Sequence, residues 1–247
     1  MRLIKALALT ATLATPAHAL DLNNMSESEN AAFGDAVRAY LLENPELIVE
    51  VISVLEQRRE QASLQADRQL VLAQADELFD DGYSYVAGNP DATIKIVEFL
   101  DYRCGYCRRA HPEVNAMLEG DDDLAVIYKE YPILGEQSVI ASQFAIATRR
   151  LFGGEGYKNM MDALMGFSGN LTDRSLSRLA GGMGLDGDAI LDEMDDEAVA
   201  AEIARNRALG NVLSITGTPT FVVETEMIRG YVPYAQFVQI IEEMREG

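Results

Sequence analysis

Residues 93–107 read TIKIVEFLDYRCGYC, and this stretch decides the fold. Its first part, up to Leu100, is β-branched and apolar, which is typical of a buried strand. The only two cysteines of the chain, Cys104 and Cys107, follow where the strand gives way to a helical pattern over residues 104–119. The stretch therefore predicts a strand that leads into a helix carrying a Cys-x-x-Cys pair.

The segments after this helix extend a mixed α/β pattern. Residues 124–131 (LAVIYKEY) predict the next strand, and strand, helix and strand within forty residues predict a right-handed parallel unit. Residues 136–214 carry helical patterns broken by glycine pairs and indicate an inserted helical subdomain. Residues 220–223 and 226–229 predict a hairpin, and residues 233–245 a closing helix. The predicted order is βαβ, then helices, then ββα.

The first residues, MRLIKALALTATLATPAHA, have the pattern of an export signal. Arg2 and Lys5 precede an apolar stretch, and Ala17-His18-Ala19 matches the A-x-A cleavage pattern. We expect residues 1–19 to be a signal peptide and the mature protein to reach the periplasm. A buried amphipathic helix is the alternative, but no acidic residue occurs before Asp21.

The net charge of the chain limits the classes of molecule that it can bind. There are 20 Lys and Arg against 40 Asp and Glu, a formal charge of -20, and loss of two positive charges with the signal peptide makes it -22. Such a surface makes nucleic acid an improbable partner. The hydrophobic content of 48% argues against disorder.

Residues 20–82 predict a helical extension ahead of the α/β part, which we place at residues 83–247. Ser26 and Glu29 have the spacing of a capping box, so a helix should begin there. Asn44-Pro45 then offers an N-cap followed by proline, which predicts the start of a second helix.

The extension has an apolar stripe that it cannot bury alone. Apolar residues recur every three or four positions from Phe33 to Leu55, whereas residues 56–69 are polar nearly all round. A stripe left in water favours pairing with further copies of the chain. We therefore expect a homo-oligomer, a trimer or a dimer. The alternative is that residues 26–55 fold back on the α/β part.

The spacing of the cysteines suits redox chemistry. Thiols three residues apart on a helix can be bridged by a disulfide, and the first one meets the unpaired N–H groups of the helix start, which lowers its pKa. Positive charge lies nearby in sequence, at Arg103, Arg108, Arg109 and His111. A purely structural disulfide is disfavoured because so short a loop restrains the unfolded chain little. A closed zinc site needs four ligands, and the mature chain offers two thiols and one histidine, so no metal site and no cofactor are predicted.

Pro112 should interrupt the helix that is predicted over residues 104–119.

Two motifs together carry a family resemblance. The strand that ends in EFLDYRCGYC, and the later Thr218-Pro219-Thr220, resemble the DsbA family of thiol-disulfide oxidoreductases over about residues 83–247. The resemblance implies an α/β thioredoxin fold, with residues 136–214 as its helical insertion and residues 20–82 as an N-terminal extension.

The resemblance also implies roles for single residues. Cys104 attacks a substrate disulfide, Cys107 resolves the mixed disulfide, and Glu98 is the buried acid that shuttles protons to Cys107. Pro219 follows a cis peptide bond against the two sulfurs and leaves a backbone edge free for an extended substrate. A proline at a strand start, without that role, fits the sequence too.

The surroundings of these groups are expected as follows. Gly105, Tyr106 and Thr218 should help to form the substrate-binding surface. Glu98 needs a partner when charged and buried, and Lys129 on the neighbouring strand is placed to supply one. The alternative is that both are outward-facing surface charges.

Two departures from the oxidase prototype limit the transfer of its function to this chain. Gly-Tyr between the cysteines is the dipeptide also found in DsbC isomerases. The segment DAVRAYLLENPELIVEVISVLEQRR is similar to the N-terminal oligomerisation segment of the ScsC-like branch, which includes a trimeric isomerase and copper-stress proteins.

We therefore expect a periplasmic disulfide isomerase or reductase that acts on disulfide-containing or unfolded secreted proteins and has a membrane redox partner. A monomeric DsbA-like oxidase, a copper(I) carrier using Cys104, Cys107 and His111, and a chaperone with secondary cysteines are the alternatives.

Overall fold

The computed structural model describes residue 22 and residues 24–246, so the expected signal peptide lies outside the described residues. Within that part the helices and strands follow one another as α1 Glu27–Glu43, α2 Glu46–Ala73, α3 Ala75–Phe79, β1 Tyr85–Gly88, β2 Ile94–Leu100, α4 Gly105–Gly120, β3 Leu124–Glu130, α5 Glu136–Gly166, α6 Asp173–Gly182, α7 Gly187–Glu193, α8 Glu197–Val212, β4 Thr220–Val223, β5 Glu226–Arg229 and α9 Tyr234–Glu246. The chain divides into two compact units, one ending at Arg59 and one beginning at Glu60. The ranges 20–82 and 83–247 stay predictions.

The first unit contains α1 and the start of α2. The capping box is confirmed, because the Ser26 hydroxyl accepts from the Glu29 N–H and the Glu29 carboxylate accepts from the Ser26 N–H. The prediction for Asn44 is wrong in detail. Its side-chain amide donates to the carbonyl of Tyr40 at 2.8 Å, so it closes the end of α1 rather than capping α2.

The second unit is built on a five-stranded sheet in the order β1-β3-β2-β4-β5. β2 and β3 are parallel, as the strand–helix–strand pattern predicts, and the other pairs are antiparallel. β1 is an edge strand of four residues that pairs with β3, and it was not predicted from the sequence. Four residues are too few to show a strand's alternation clearly.

Each face of the sheet carries its own hydrophobic cluster, because successive side chains of a strand point to opposite faces. Ile94, Ile96 and Leu100 of β2 belong to one cluster, together with residues from α4, α5 and α9. Val97 and Phe99 belong to the other, which is completed by residues of α2, α3, α8 and the neighbouring strands. Glu98 therefore lies on the α4 face.

Helix α4 runs through Pro112, so the expected interruption there is wrong. Proline removes one backbone hydrogen bond. Cys107, Ala110, Val114 and Met117 nevertheless hold the helix against the sheet by burying its apolar face. Packing of that face outweighs the lost bond.

The inserted helices α5 to α8 occupy the stretch between β3 and β4. Among the described helices, none is long and apolar enough to cross a membrane.

Candidate active site

The two cysteines lie where the predicted strand ends and α4 begins. Cys104 is the N-cap of α4; its N–H donates to the carbonyl of Asp101 at 3.0 Å, and its own carbonyl accepts from the N–H of Arg108 at 3.1 Å. Both cysteines are free thiols. Cys104 is 8% exposed and Cys107 is fully buried beneath it. Only the first thiol is therefore within reach of a substrate.

The surroundings of Cys104 favour its thiolate. Hydrogen bonding from the Cys107 thiol, followed by smaller contributions that include the N–H groups of Cys107 and Tyr106, lowers the pKa of Cys104 to about 5. These N–H groups are the unpaired donors at the start of α4, as expected from the sequence. At neutral pH Cys104 is then a thiolate, the form of cysteine that attacks disulfides.

Cys107 has the opposite character. Burial raises the pKa of its thiol well above the ordinary value, and the hydrogen bond to Cys104 and the negative charge of Glu98 raise it further. Cys107 therefore keeps its proton until Cys104 has lost its negative charge. This asymmetry suits the two sulfurs to separate roles, one as nucleophile and one as resolving thiol.

Glu98 is the buried acid beneath the dithiol. Its side chain is 1% exposed, and neither carboxylate oxygen has a hydrogen-bond partner among the described residues. Burial, with a smaller contribution from Cys104, raises the pKa of Glu98 to about 8. A carboxyl group of that pKa can both accept and release a proton near neutral pH. This is the property that a proton carrier for Cys107 needs.

The loop that leads into β4, the strand beside β2, completes the site. The peptide bond between Thr218 and Pro219 is cis, as the resemblance implies. The carbonyl oxygen of Thr218 lies 3.1 Å from the Sγ of Cys104. Pro219 is buried, and its carbonyl accepts from the N–H of Gly230 at 2.9 Å. The structure thus brings Thr218 and Pro219 to the reactive sulfur.

Tyr106 and Gly105 face outward beside Cys104. The ring of Tyr106 is 62% exposed and stacks on Tyr231 with 6.5 Å between the ring centroids. Gly105 is exposed in the first turn of α4. Both positions suit contact with a substrate.

The comparisons with known proteins agree with this geometry. A family model described as the DSBA-like thioredoxin domain matches residues 95–242. The chain belongs to this family. A second family model, described as the copper resistance protein ScsC N-terminal domain, matches residues 29–62.

Solved structures extend the DsbA-like similarity. A thioredoxin-like oxidoreductase from Silicibacter pomeroyi DSS-3 is 38% identical, with a TM-score of 0.64, 70% of this chain covered and 98% of that one. ScsC from Proteus mirabilis in a transitional conformation is 28% identical, with a TM-score of 0.65 and coverage of 89% and 98%. BcfH from Salmonella enterica Typhimurium is 27% identical, with a TM-score of 0.73 and coverage of 87% and 95%.

Among curated proteins, the Na(+)/H(+) antiporter NhaA 3 of Salinispora tropica is 28% identical over 155 residues, 63% of this chain. The chain spans about a quarter of the length of this antiporter and of the other curated antiporters that it matches.

One expected partnership in this DsbA-like site is wrong. Lys129 pairs with Asp81, donates to the carbonyl of Glu77 at 2.7 Å and lies over the ring of Tyr83. In the register of the parallel strands Glu98 stands beside Tyr128, and Lys129 is one position further on. Lys129 therefore points to the opposite face of the sheet and does not neutralise Glu98.

The structure does not bring His111 to the thiols as a third copper ligand. The Nε2 of this buried histidine lies 2.6 Å from the Oδ1 of Asp162 on α5. Residues 24–246 contain no group of three or more His, Cys, Asp and Glu side chains arranged to hold a metal ion.

Asp101 positions the dithiol loop, a role that was not predicted from the sequence. It is fully buried, and its carboxylate accepts from the N–H groups of Arg103, Ile133 and Leu134 at 2.8, 2.9 and 3.1 Å. It thus ties the loop before Cys104 to the loop after β3. Its place between a buried strand and a cysteine was the only available signal, since two of the three donors are about thirty residues away.

A second buried acid, Glu130, was also not predicted from the sequence to be part of the site. The hydroxyl groups of Tyr102 and Tyr157 both donate to its Oε1 at 2.6 Å. Burial raises the pKa of Glu130 to about 7. Through Tyr102 it fixes the chain two residues before Cys104.

Proposed function

We propose that this protein is a thiol-disulfide oxidoreductase of the periplasm, which works as a protein disulfide isomerase and reductase. The observation that carries the proposal is the pairing of Cys104, whose pKa is lowered to about 5, with the buried thiol of Cys107 next to Glu98. A purely structural dithiol has no need for this asymmetry.

The chemistry follows from the two thiols. The Cys104 thiolate attacks one sulfur of a substrate disulfide and forms a mixed disulfide, and the other substrate sulfur leaves as a thiolate. In reduction, Cys107 gives its proton to ionised Glu98 and attacks the Cys104 sulfur. The bond to the substrate breaks, the substrate sulfur takes up a proton, and a Cys104–Cys107 disulfide remains. In isomerisation, a thiolate of the substrate attacks the mixed disulfide instead and releases Cys104 unchanged.

The first unit supports the isomerase direction. Its helices expose large apolar side chains, and no residue of α1 is buried. Those exposed by 40% or more include Phe33, Val37, Tyr40, Leu42, Ile48, Val49, Val51, Ile52, Val54 and Leu55. We propose a second or third copy of the chain as the occupant of this surface. The ScsC N-terminal family model matches residues 29–62, and the chain as a whole is similar to ScsC over 89% of its length.

Oligomerisation matters because it would join several dithiols in one particle. Linked sites can hold a misfolded substrate while wrong disulfides are exchanged, whereas a lone subunit more readily donates a disulfide. The proposed substrates are disulfide-containing or unfolded secreted proteins, and a membrane redox partner would keep the dithiol reduced. The periplasm is the compartment that fits, since the export pattern of residues 1–19 leads there and disulfides form there.

Recovery of activity from scrambled ribonuclease tests the proposal. The reduced mature protein should restore ribonuclease activity, and Cys104→Ser should not. Light scattering on the same preparations should give two or three times the mass of a single chain. Retained reactivation by Cys104→Ser would refute the mechanism.

A charged substitution separates the oligomer from the dithiol. Ile52→Lys places a charge on the exposed apolar surface and should give a monomer with a lower rate of reactivation. Ser53→Lys is the matched control, because Ser53 lies with Glu46, Glu50 and Gln57 on the polar face of the same helix. A monomeric parent protein that oxidises reduced ribonuclease instead would replace the isomerase by a DsbA-like oxidase.

A further inference from the structure

Three arginines flank the dithiol of this acidic protein. Arg103 directly precedes Cys104, and Arg108 and Arg109 directly follow Cys107. We call these three arginines the basic rim. They stand out because acidic residues outnumber basic ones by two to one in the whole chain.

The basic rim has no carboxylate partner within salt-bridge distance in the described part of the chain. An Nη of Arg103 donates to the carbonyl of Gly169 at 2.9 Å, and the Nε of Arg108 donates to the carbonyl of Tyr102 at 2.8 Å. The guanidinium of Arg109 lies 4.5 Å from the centre of the Tyr231 ring. These contacts orient the three side chains, and each guanidinium group can still form a salt bridge with a further carboxylate.

The acidic groups nearest in sequence are already engaged. The buried carboxylate of Asp101 accepts three backbone N–H groups. Glu113 accepts from the hydroxyl of Tyr231 and from the N–H of Tyr234 at 2.5 Å. Glu98 is buried beneath the dithiol. None of these three carboxylates pairs with the basic rim, so its guanidinium groups are free to meet an acidic group of a substrate beside Cys104.

One exposed and one half-buried aromatic ring lie within the same surface. Tyr106, between the two cysteines, stacks on Tyr231, and the guanidinium of Arg109 lies over the Tyr231 ring. A peptide that lies across Cys104 would meet apolar ring faces and unpaired guanidinium groups together.

We infer that the basic rim selects substrates whose disulfide is flanked by acidic residues. This inference rests on the proposed function and adds its substrate class. Attraction at the rim acts at contact, because the other charges of the protein are screened beyond a Debye length of about 8 Å at physiological salt. The preference should therefore appear in the kcat/KM of charged peptides and fade as salt shortens that distance.

Three peptides test the inference. They carry the same disulfide and a fluorescence quencher pair and differ only in having two Glu, two Gln or two Lys next to the cysteine. The reduced mature protein should cleave the Glu peptide about three to ten times faster than the Lys peptide at physiological salt, where the distant acidic charges are screened; this is the range expected for one or two exposed ion pairs. The ratio should approach one at about 1 M salt.

Arginine variants assign the effect to the rim. Arg103→Gln and Arg109→Gln should each lower the ratio, and Arg109→Lys should retain it, because lysine keeps the charge. Arg68→Gln is the matched control; Arg68 pairs with Glu226 on β5, and its loss changes the net charge equally. Comparing peptides within one variant cancels any change in the thiolate fraction of Cys104.

The outcomes are distinct. Equal rates for the three peptides, a faster Lys peptide, or a ratio that Arg68→Gln lowers as much as Arg109→Gln would overturn the inference and leave the proposed function standing. Failure to cleave even the Gln peptide would overturn the proposed function itself.

Discussion

Exchange of Glu98 for glutamine should change how the stability of the protein depends on pH. The pKa of Glu98 is raised from 4.5 to about 8, so the folded protein holds this proton more tightly than the unfolded chain does. Ionisation therefore favours unfolding, and the free energy of unfolding falls as pH rises from 4.5 to about 8. Each pH unit in that window corresponds to about 1.4 kcal/mol, so roughly 3 kcal/mol is lost by pH 7.

Glu98→Gln cannot ionise, so this loss should be absent from the variant. The amide introduces buried donors of its own, which lower stability by about 1–3 kcal/mol at every pH. The informative quantity is therefore the difference between variant and parent, which should shift by roughly 3 kcal/mol in favour of the variant between pH 4 and pH 7. Because the pKa of Cys104 is lowered, its ionisation makes the free energy of unfolding rise with pH. It does so in both proteins, so the difference between variant and parent reduces its contribution.

Urea unfolding of the reduced proteins at a series of pH values measures this difference. Glu119→Gln, an exposed glutamate on α4, is the control for replacing a carboxyl by an amide at the surface. A difference that stays constant from pH 4 to pH 8, or that moves in favour of the parent, would refute the raised pKa of Glu98. The role of Glu98 as proton carrier would then lose its physical basis.

Three further outcomes are expected. Cys107→Ser should accumulate a mixed disulfide between Cys104 and a substrate, visible as an added mass under non-reducing conditions, because no thiol remains to resolve it. Cys107→Ala should raise the pKa of Cys104 more than Cys107→Ser does in thiolate absorbance titrations, because only serine keeps a hydroxyl that can donate. Asp101→Ala should lower the free energy of unfolding by about 3 kcal/mol or more in urea, because it leaves three backbone N–H groups without their charged acceptor.

The sequence was most informative where a local pattern is long. The apolar run ending at Leu100 and the capping box at Ser26 each lie within a few residues, and both predictions are confirmed. β1 was missed because four residues carry too little pattern. The interruption at Pro112 was wrong because the rule for proline considers one backbone bond, whereas the buried face of α4 holds the helix together.

Groups brought together from distant parts of the chain could not be assigned in the same way. Strand alternation assigns Glu98 to one face of β2 and Lys129 to one face of β3. Only the register between β2 and β3 shows that these are opposite faces of the sheet. Asp101 and Glu130 act through residues about thirty positions away, which no local spacing reveals.

The central claim is that Cys104 is the reactive thiolate and Cys107 the protonated resolving thiol. Titration of the reduced protein by thiolate absorbance tests this claim most directly. The structure predicts one thiol with a pKa of about 5, and this titration should disappear in Cys104→Ser and persist in Cys107→Ser. A first titration only near the ordinary value of 9.0, or one that disappears with Cys107 instead, would contradict the assigned roles.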